Sequence, residues 1–392
     1  MPRRIALNLV ALCIGIFVAL ATAEVLTRIL HPLSTVEYFM DPEVGPILAP
    51  HQHSRWVNED YDVAILTNSA GFHDVEHAIT KSPWVYRILV LGDSYIEGLQ
   101  VPIDQNFTRQ LERMVRGWLT EKQVEVINLG VSGSGPAQYY RILEKKGLLY
   151  RPDLVLMAVL PDNDFRDSYR SLSGAVFKPY YALRTDESLE YIAPQVSGLG
   201  AGLRPFLRRS AFLHLVRQAT VSMPVEGWLA GMGLLAPAGA IQQGSARISI
   251  PEDWYVYVAD PPEPWPEAYQ MTLRMIRESK ELAERHGAKF LVMLIASTAM
   301  VEQRWEEMLR KYPAAQSITW DFAKPFQEID KLGKESGFVV INLLQPFRQD
   351  FLETGQSHSW PHDGHWNERG HRLAAEVVNA HLHQHRVLYR LN

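Results

Sequence analysis

The chain has 392 residues, with 39 lysines and arginines against 44 aspartates and glutamates, a formal net charge of −5, and 47 % apolar and 21 % charged residues. That apolar share supports a sizeable core and excludes disorder as the main theme, while the slightly acidic balance offers no field for phosphate backbones, so no nucleic-acid partner is expected. The single cysteine, Cys13, excludes an intramolecular disulfide framework and a cysteine-rich zinc site.

Residues 1–30 read as a membrane-insertion segment. After Arg3 and Arg4 no charge occurs from Ile5 to Ala23, and as a helix this run rises about 28 Å against a hydrocarbon core of roughly 30 Å. Two positive charges ahead of the run, with the next only at Arg28, place the N-terminus in the cytoplasm and the rest of the chain outside, as in a single-pass inner-membrane protein with a periplasmic domain. Ala21-Thr22-Ala23 also fits signal-peptide cleavage, which would release the chain near Ala23. Val25, Leu26, Ile29 and Leu30 continue the apolar helix past Glu24 and favour an uncleaved anchor. Cys13 follows Leu12 rather than a small residue and reads as an ordinary lipid-facing side chain.

Residues 31–84 form a polar approach segment, with a tight turn expected at Thr67 to Phe72. From residue 85 to 392 the pattern is that of one α/β domain. Uninterrupted apolar runs occur at 87–91, 124–129, 153–160, 289–295 and 338–343, and continuous rather than alternating hydrophobicity marks strands covered on both faces, hence a parallel sheet. Helices are expected between them. One carries Phe107, Leu111, Met114, Val115 and Trp118 on a single face, others open at Pro136, at Pro266 and after Pro325, and the last starts beyond the N-cap Asn367. The fold class is therefore α/β, a doubly wound, flavodoxin-like parallel sheet of about five strands with helices on both faces. An insertion at about 166–265, with a hairpin from Tyr180 to Ile192 and an amphipathic helix around Phe206 to Val216, is too long for an ordinary loop and reads as a lid or subdomain.

Ligands of such sheets bind beyond the C-terminal strand ends. The first run ends in Gly92-Asp93-Ser94, the second leads into Gly130-Val-Ser-Gly133-Ser-Gly135, the third into Pro161-Asp162-Asn163-Asp164, and His362-Asp363-Gly364-His365 precedes the last helix. A serine at a strand-to-helix turn is held exposed and suits a nucleophile, with its own N–H placed where an oxyanion forms. The glycine-rich turn lets backbone N–H groups approach a ligand, and the Asn163 amide can add a donor. His365 can take and return the serine proton while a carboxylate such as Asp363 orients the ring. This chemistry requires no cofactor and no metal.

With these four blocks in this order the sequence resembles the SGNH (GDSL-type) hydrolases, over about residues 85–165 and 285–380. The resemblance implies Ser94 as nucleophile, Gly133 and Asn163 as oxyanion donors with the Ser94 N–H, His365 as base and Asp363 as its orienting acid. The turn Asn68 to Phe72 and the phrase Gly92-Asp-Ser-Tyr-Ile-Glu-Gly98 look like the membrane-anchored bacterial branch. Pro161 stands where the family's Gly-x-Asn-Asp block has glycine, and the acid and base are spaced Asp-x-His rather than Asp-x-x-His, which resembles the alginate O-acetylation proteins.

The resemblance leads to a serine esterase acting on acyl, above all O-acetyl, esters of an extracytoplasmic carbohydrate polymer. An O-acyltransferase using the same residues, and a non-catalytic glycan-binding module tethered to the envelope, are the alternatives. Other features have plainer readings. His358, His362, Asp363, His365 and His371 could ligate zinc, but the loop and helix start they straddle favour separate roles. Asp93 and Asp164 read as turn and cap formers. Trp254, Tyr255, Tyr257 and Trp265 read as packing under the insertion, with sugar stacking as the alternative, and Arg204, Arg208, Arg209 and Arg217 read as a solvated helix face.

Overall fold

The five apolar runs become five parallel strands of one sheet. A computed structural model describes residues 2–30, 34–195, 212, 241–243, 246–248 and 250–388. The strands are β1 (Val85–Gly92), β2 (Gln123–Gly130), β3 (Leu154–Val159), β4 (Lys289–Leu294) and β5 (Val339–Asn342). Their order is β5-β4-β3-β1-β2, all neighbours parallel, the flavodoxin-like arrangement. Every residue of β1 and β3 is buried, which is why neither shows an alternating pattern. β2 lies on one side of β1 and β3 on the other, so a crevice opens beyond their C-terminal ends. Gly92 pairs with Gly130 and Leu91 with Met157, which brings the segments leaving these three strands to one place.

Two groups of helices cover the sheet. Phe107–Arg116 packs on Glu368–Gln384, and Pro136–Lys145 packs on Trp265–Arg285, which also meets Lys324–Ser336. Phe107, Leu111 and Val115 are fully buried, each contributing about 1.5–3 kcal/mol by leaving water. Prolines sit in the first turns of 136–145, 265–285 and 324–336, where a missing N–H costs nothing. Trp118 differs from its expected place: Gly117 caps the helix, and Trp118 lies beyond it, its Nε1 donating to Asn379 Oδ1 at 2.8 Å.

Residues 36–195 with 241–392 make one compact unit, and residues 1–35 with 196–240 make another. In the first, Tyr38–Asp41 pairs with Gly45–Leu48 and His53–Val57 with Asp62–Leu66 as antiparallel hairpins. The turn after them closes on Asn68, whose Oδ1 accepts from the N–H groups of Ala70 and Phe72. Arg87 on β1 reaches the carbonyls of Ala78, Ile79 and Tyr150 and the Glu125 carboxylate, fastening residues 78–79 to the sheet. Tyr180–Leu183 and Leu189–Ile192 form the expected hairpin. Apart from residue 212, the helix expected at 206–216, with Arg204, Arg208, Arg209 and Arg217, lies outside the described residues. Trp254, Tyr255, Tyr257 and Trp265 are buried, with Trp254 and Tyr257 both edge-on to Trp305; they are core rather than a sugar platform. In the second unit, the helix Pro2–Leu30 contains a span, Val10–Ile29, long and apolar enough to cross a membrane.

Candidate active site

β1 turns into the short helix Ser94–Glu97 through Asp93 alone. So abrupt a turn needs glycine at its base: a Cβ on Gly92 would lie 2.3 Å from Ile96 Cγ1. Asp93 braces the turn, its Oδ1 accepting from Tyr95 N–H at 2.9 Å and its Oδ2 from the Asn163 amide at 3.2 Å. Burial pushes the Asp93 carboxyl up. Ser94, half-buried, carries the first N–H of the helix, which has no intrahelical partner.

His365 comes from the loop before the last helix. Asn367 caps that helix by accepting from Arg369 and Gly370 N–H, and its amide donates to the Ser357 and Ser359 carbonyls. Trp360 N–H donates to the His365 carbonyl and Tyr95 hydroxyl to the Gly364 carbonyl. So held, His365 Nε2 stands 2.7 Å from Ser94 Oγ and its Nδ1 2.5 Å from Asp363 Oδ1. An ionised carboxylate only accepts, so the ring proton lies on Nδ1 and Nε2 is free to accept from Ser94. Burial alone would push the His365 imidazolium down, but the bond and charge of Asp363, joined by the charges of Asp93 and Glu97, raise it above the ordinary histidine value. Burial likewise pushes the Asp363 carboxyl up, and the bonds from His365 and Tyr61 outweigh it and hold it below the ordinary value. The relay can carry a proton from the serine hydroxyl to the imidazole.

Three residues of the approach segment complete the surroundings of Asp363. Tyr61 hydroxyl donates to Asp363 Oδ2 at 2.7 Å, with the Asn58 amide at 3.3 Å. The Asp60 carboxylate accepts from the N–H groups of His362 and Asp363, each at 2.9 Å, and from His362 Nδ1 at 2.7 Å. Nothing in the local sequence marks them, since they lie about 300 positions from the loop they hold. Asn58 and Asp60 look like turn formers between two strands, and that is all their neighbours reveal.

Gly133 and Asn163 leave β2 and β3 toward the same crevice. Gly133 has φ of +67°, a conformation that an L side chain rarely adopts. Its carbonyl accepts from the ammonium of the buried Lys178. Asn163 lies in the first turn of Pro161–Asp167, a helix that Pro161 opens where its N–H would be unpaired anyway. One N–H of its amide is committed to Asp93, leaving the other for a ligand. Asp164 braces this turn by accepting from Leu160 N–H and Tyr139 hydroxyl, each at 3.0 Å. Behind Ser94, the carboxyl of Glu97 accepts from Ser132 hydroxyl, and burial pushes it up to about 7 despite that bond.

The remaining histidines of the C-terminal cluster face different partners. His358 Nε2 bonds Asp350, His362 bonds Asp60, and His371 Nδ1 accepts from Phe107 N–H. Burial, with the neighbouring His73 and His365, pushes His371 down to about 3, so it stays neutral. Among the described residues no group of three or more His, Cys, Asp and Glu is placed to hold a metal ion.

No known protein-family model and no curated relative matches the chain. Solved structures similar to it include the acetyl xylan esterase AlAXEase, 12 % identical over 76 % of this chain and 99 % of that one, with a TM-score of 0.38. Another is a two-domain esterase, CEX, active on acetylated mannans (11 %, 77 % and 50 %, TM-score 0.38). A third is a catalytic mutant of Axe2, an acetylxylan esterase from Geobacillus stearothermophilus (10 %, 75 % and 92 %, TM-score 0.37). At these scores the likeness decides nothing about this chain's chemistry, which has to be read from its own side chains.

Proposed function

We propose that the chain is a serine esterase of SGNH type that cleaves O-acetyl esters of a carbohydrate polymer outside the cytoplasm, through an acyl-enzyme on Ser94. The observation that carries this reading is the unbroken contact from Ser94 Oγ through His365 to Asp363, at 2.7 and 2.5 Å, at the crevice of a doubly wound sheet. The Ser94 oxygen attacks the ester carbonyl while its proton passes to His365 Nε2. The oxyanion is met by the N–H groups of Ser94 and Gly133 and the Asn163 amide. When the carbon–oxygen bond breaks, the sugar hydroxyl leaves with the His365 proton and the acetyl group stays on Ser94. Water then gives a proton to His365 and adds to the acyl carbon, and acetate departs as Ser94 regains its proton. The polymer is chosen because a chain inserted through an anchor such as Val10–Ile29 presents its catalytic domain to the cell envelope.

A fluorophosphonate probe tests the reading. It is expected to label Ser94 in the full chain and to leave Ser94→Ala unlabelled; an unlabelled, inactive wild-type chain would instead be the tethered glycan-binding module. Turnover is expected to fall about 10⁶-fold in Ser94→Ala and about 10²- to 10³-fold in Asn163→Ala.

The Asp363-x-His365 spacing supports a second reading, transfer of the acetyl group to another sugar hydroxyl in place of water, because it resembles the alginate O-acetylation proteins. Acetate release measured with and without glycan acceptors separates the two: an acceptor-independent rate means hydrolysis, and acetylated acceptor formed at the expense of acetate means transfer.

A further inference from the structure

We propose that Tyr61, supplied by the hairpin ahead of the α/β domain, is a positioning residue that sets the orientation and basicity of His365 through Asp363. The inference rests on reading Ser94, His365 and Asp363 as a relay. Both oxygens of Asp363 are engaged, Oδ1 by His365 and Oδ2 by the Tyr61 hydroxyl at 2.7 Å and the Asn58 amide at 3.3 Å. A carboxylate held on both sides cannot rotate about its terminal torsion, so the plane in which it meets the imidazole is fixed. The same hairpin fixes the backbone beneath it, because the Asp60 carboxylate accepts both the His362 and Asp363 N–H groups at 2.9 Å. Tyr61 is itself buried, its ring against Trp360 and its oxygen accepting from Trp56 Nε1 at 3.1 Å, so the hydroxyl has one orientation that satisfies it.

The bond also has an electrostatic effect. A hydroxyl donating to a carboxylate takes up part of its charge and leaves less to stabilise the imidazolium on the other side. Tyr61 therefore restrains the basicity that Asp363 confers on His365, keeping more of the imidazole neutral and ready to accept the serine proton. The other groups facing His365 are the carboxylates of Asp93 and Glu97, the imidazole of His371 and the ring of Tyr95. Asp363 faces Tyr95 as well, and Tyr61 faces Asp60. The Tyr61 hydroxyl bonds Asp363 and Trp56, so removing it takes none of these groups away.

Tyr61→Phe in the full chain, solubilised in detergent, tests the proposal by two readouts. The first is turnover of a small acetyl ester. We expect kcat to fall roughly tenfold with KM within about twofold, and the acid limb of kcat/KM to move to higher pH by roughly half a unit. The second does not depend on turnover: the His365 imidazole titration followed by NMR, assigned by its absence in His365→Gln, is expected to move up by the same amount. A variant that merely folds less well would lower the active fraction and leave both midpoints where they are. An unmoved His365 midpoint in Tyr61→Phe overturns the proposal, whatever the rate. If the midpoint moves but the wild-type chain neither turns over nor is labelled, the esterase reading fails and the positioning role stands.

Discussion

On the proposed reading, His365, at 2.7 Å from Ser94 Oγ, can act as a base only while its Nε2 is unprotonated. Its folded-state value is raised by Asp363, Asp93 and Glu97 against the effect of burial, so the rate is expected to fall as pH drops through a midpoint above the ordinary histidine value of 6.5. A profile of kcat/KM against pH checks this; an acid limb below that value would mean the carboxylates do not govern the ring. The stability contribution runs the other way. A histidine whose value is raised on folding stabilises the fold fully below its unfolded value, and that contribution is lost as pH rises through the folded value. Asp363, held below its ordinary 3.8, loses its contribution as pH falls through that range, so the pair stabilises most between about 3.8 and 6.5, where the proposed relay would be idle.

The turn that carries Ser94 depends on two strands at once. A Cβ on Gly130 of β2 would lie 2.2 Å from Glu97 N and 2.6 Å from the Ile96 carbonyl carbon, so the obstacle is backbone and cannot swing aside. Gly130→Ala is expected to cost about 1–3 kcal/mol in urea unfolding and to abolish most activity by pushing the helix Ser94–Glu97 away from His365. Unchanged kinetics in a stably folded variant would show that the helix can shift without moving Ser94. The sheet itself is legible in the sequence because strands buried on both faces leave continuous apolar runs, and prolines and Asn367 mark the helix starts. The blocks holding Ser94, Gly133, Asn163 and His365 are legible because each follows a strand or precedes a helix. Tyr61, Asn58 and Asp60 are not, because their chemistry lies in pairings across about 300 positions that no local pattern records. The aromatic residues around Trp254 show the converse: sequence cannot distinguish rings that stack on a ligand from rings that pack edge-on against Trp305.

At the scale of the whole molecule, Val10–Ile29 is the span that would hold the chain in a membrane. The full-length chain is expected in the membrane fraction, resistant to alkaline carbonate extraction, with its N-terminal residues still attached when the mass is measured. A soluble product beginning near Glu24 would establish cleavage instead. The relay also has an origin in time. Ser94 and His365 are 271 positions apart, and Tyr61 and Asp363 are 302 apart, so the candidate site joins distant parts of the α/β unit. As the polypeptide emerges N-terminus first, Ser94 is made well before the His365 that it contacts. His365 follows 271 positions later, with the helix Glu368–Gln384 after it. On the proposed esterase reading, a chain released before residue 365 would carry the nucleophile without its base and is expected to be inactive toward esters.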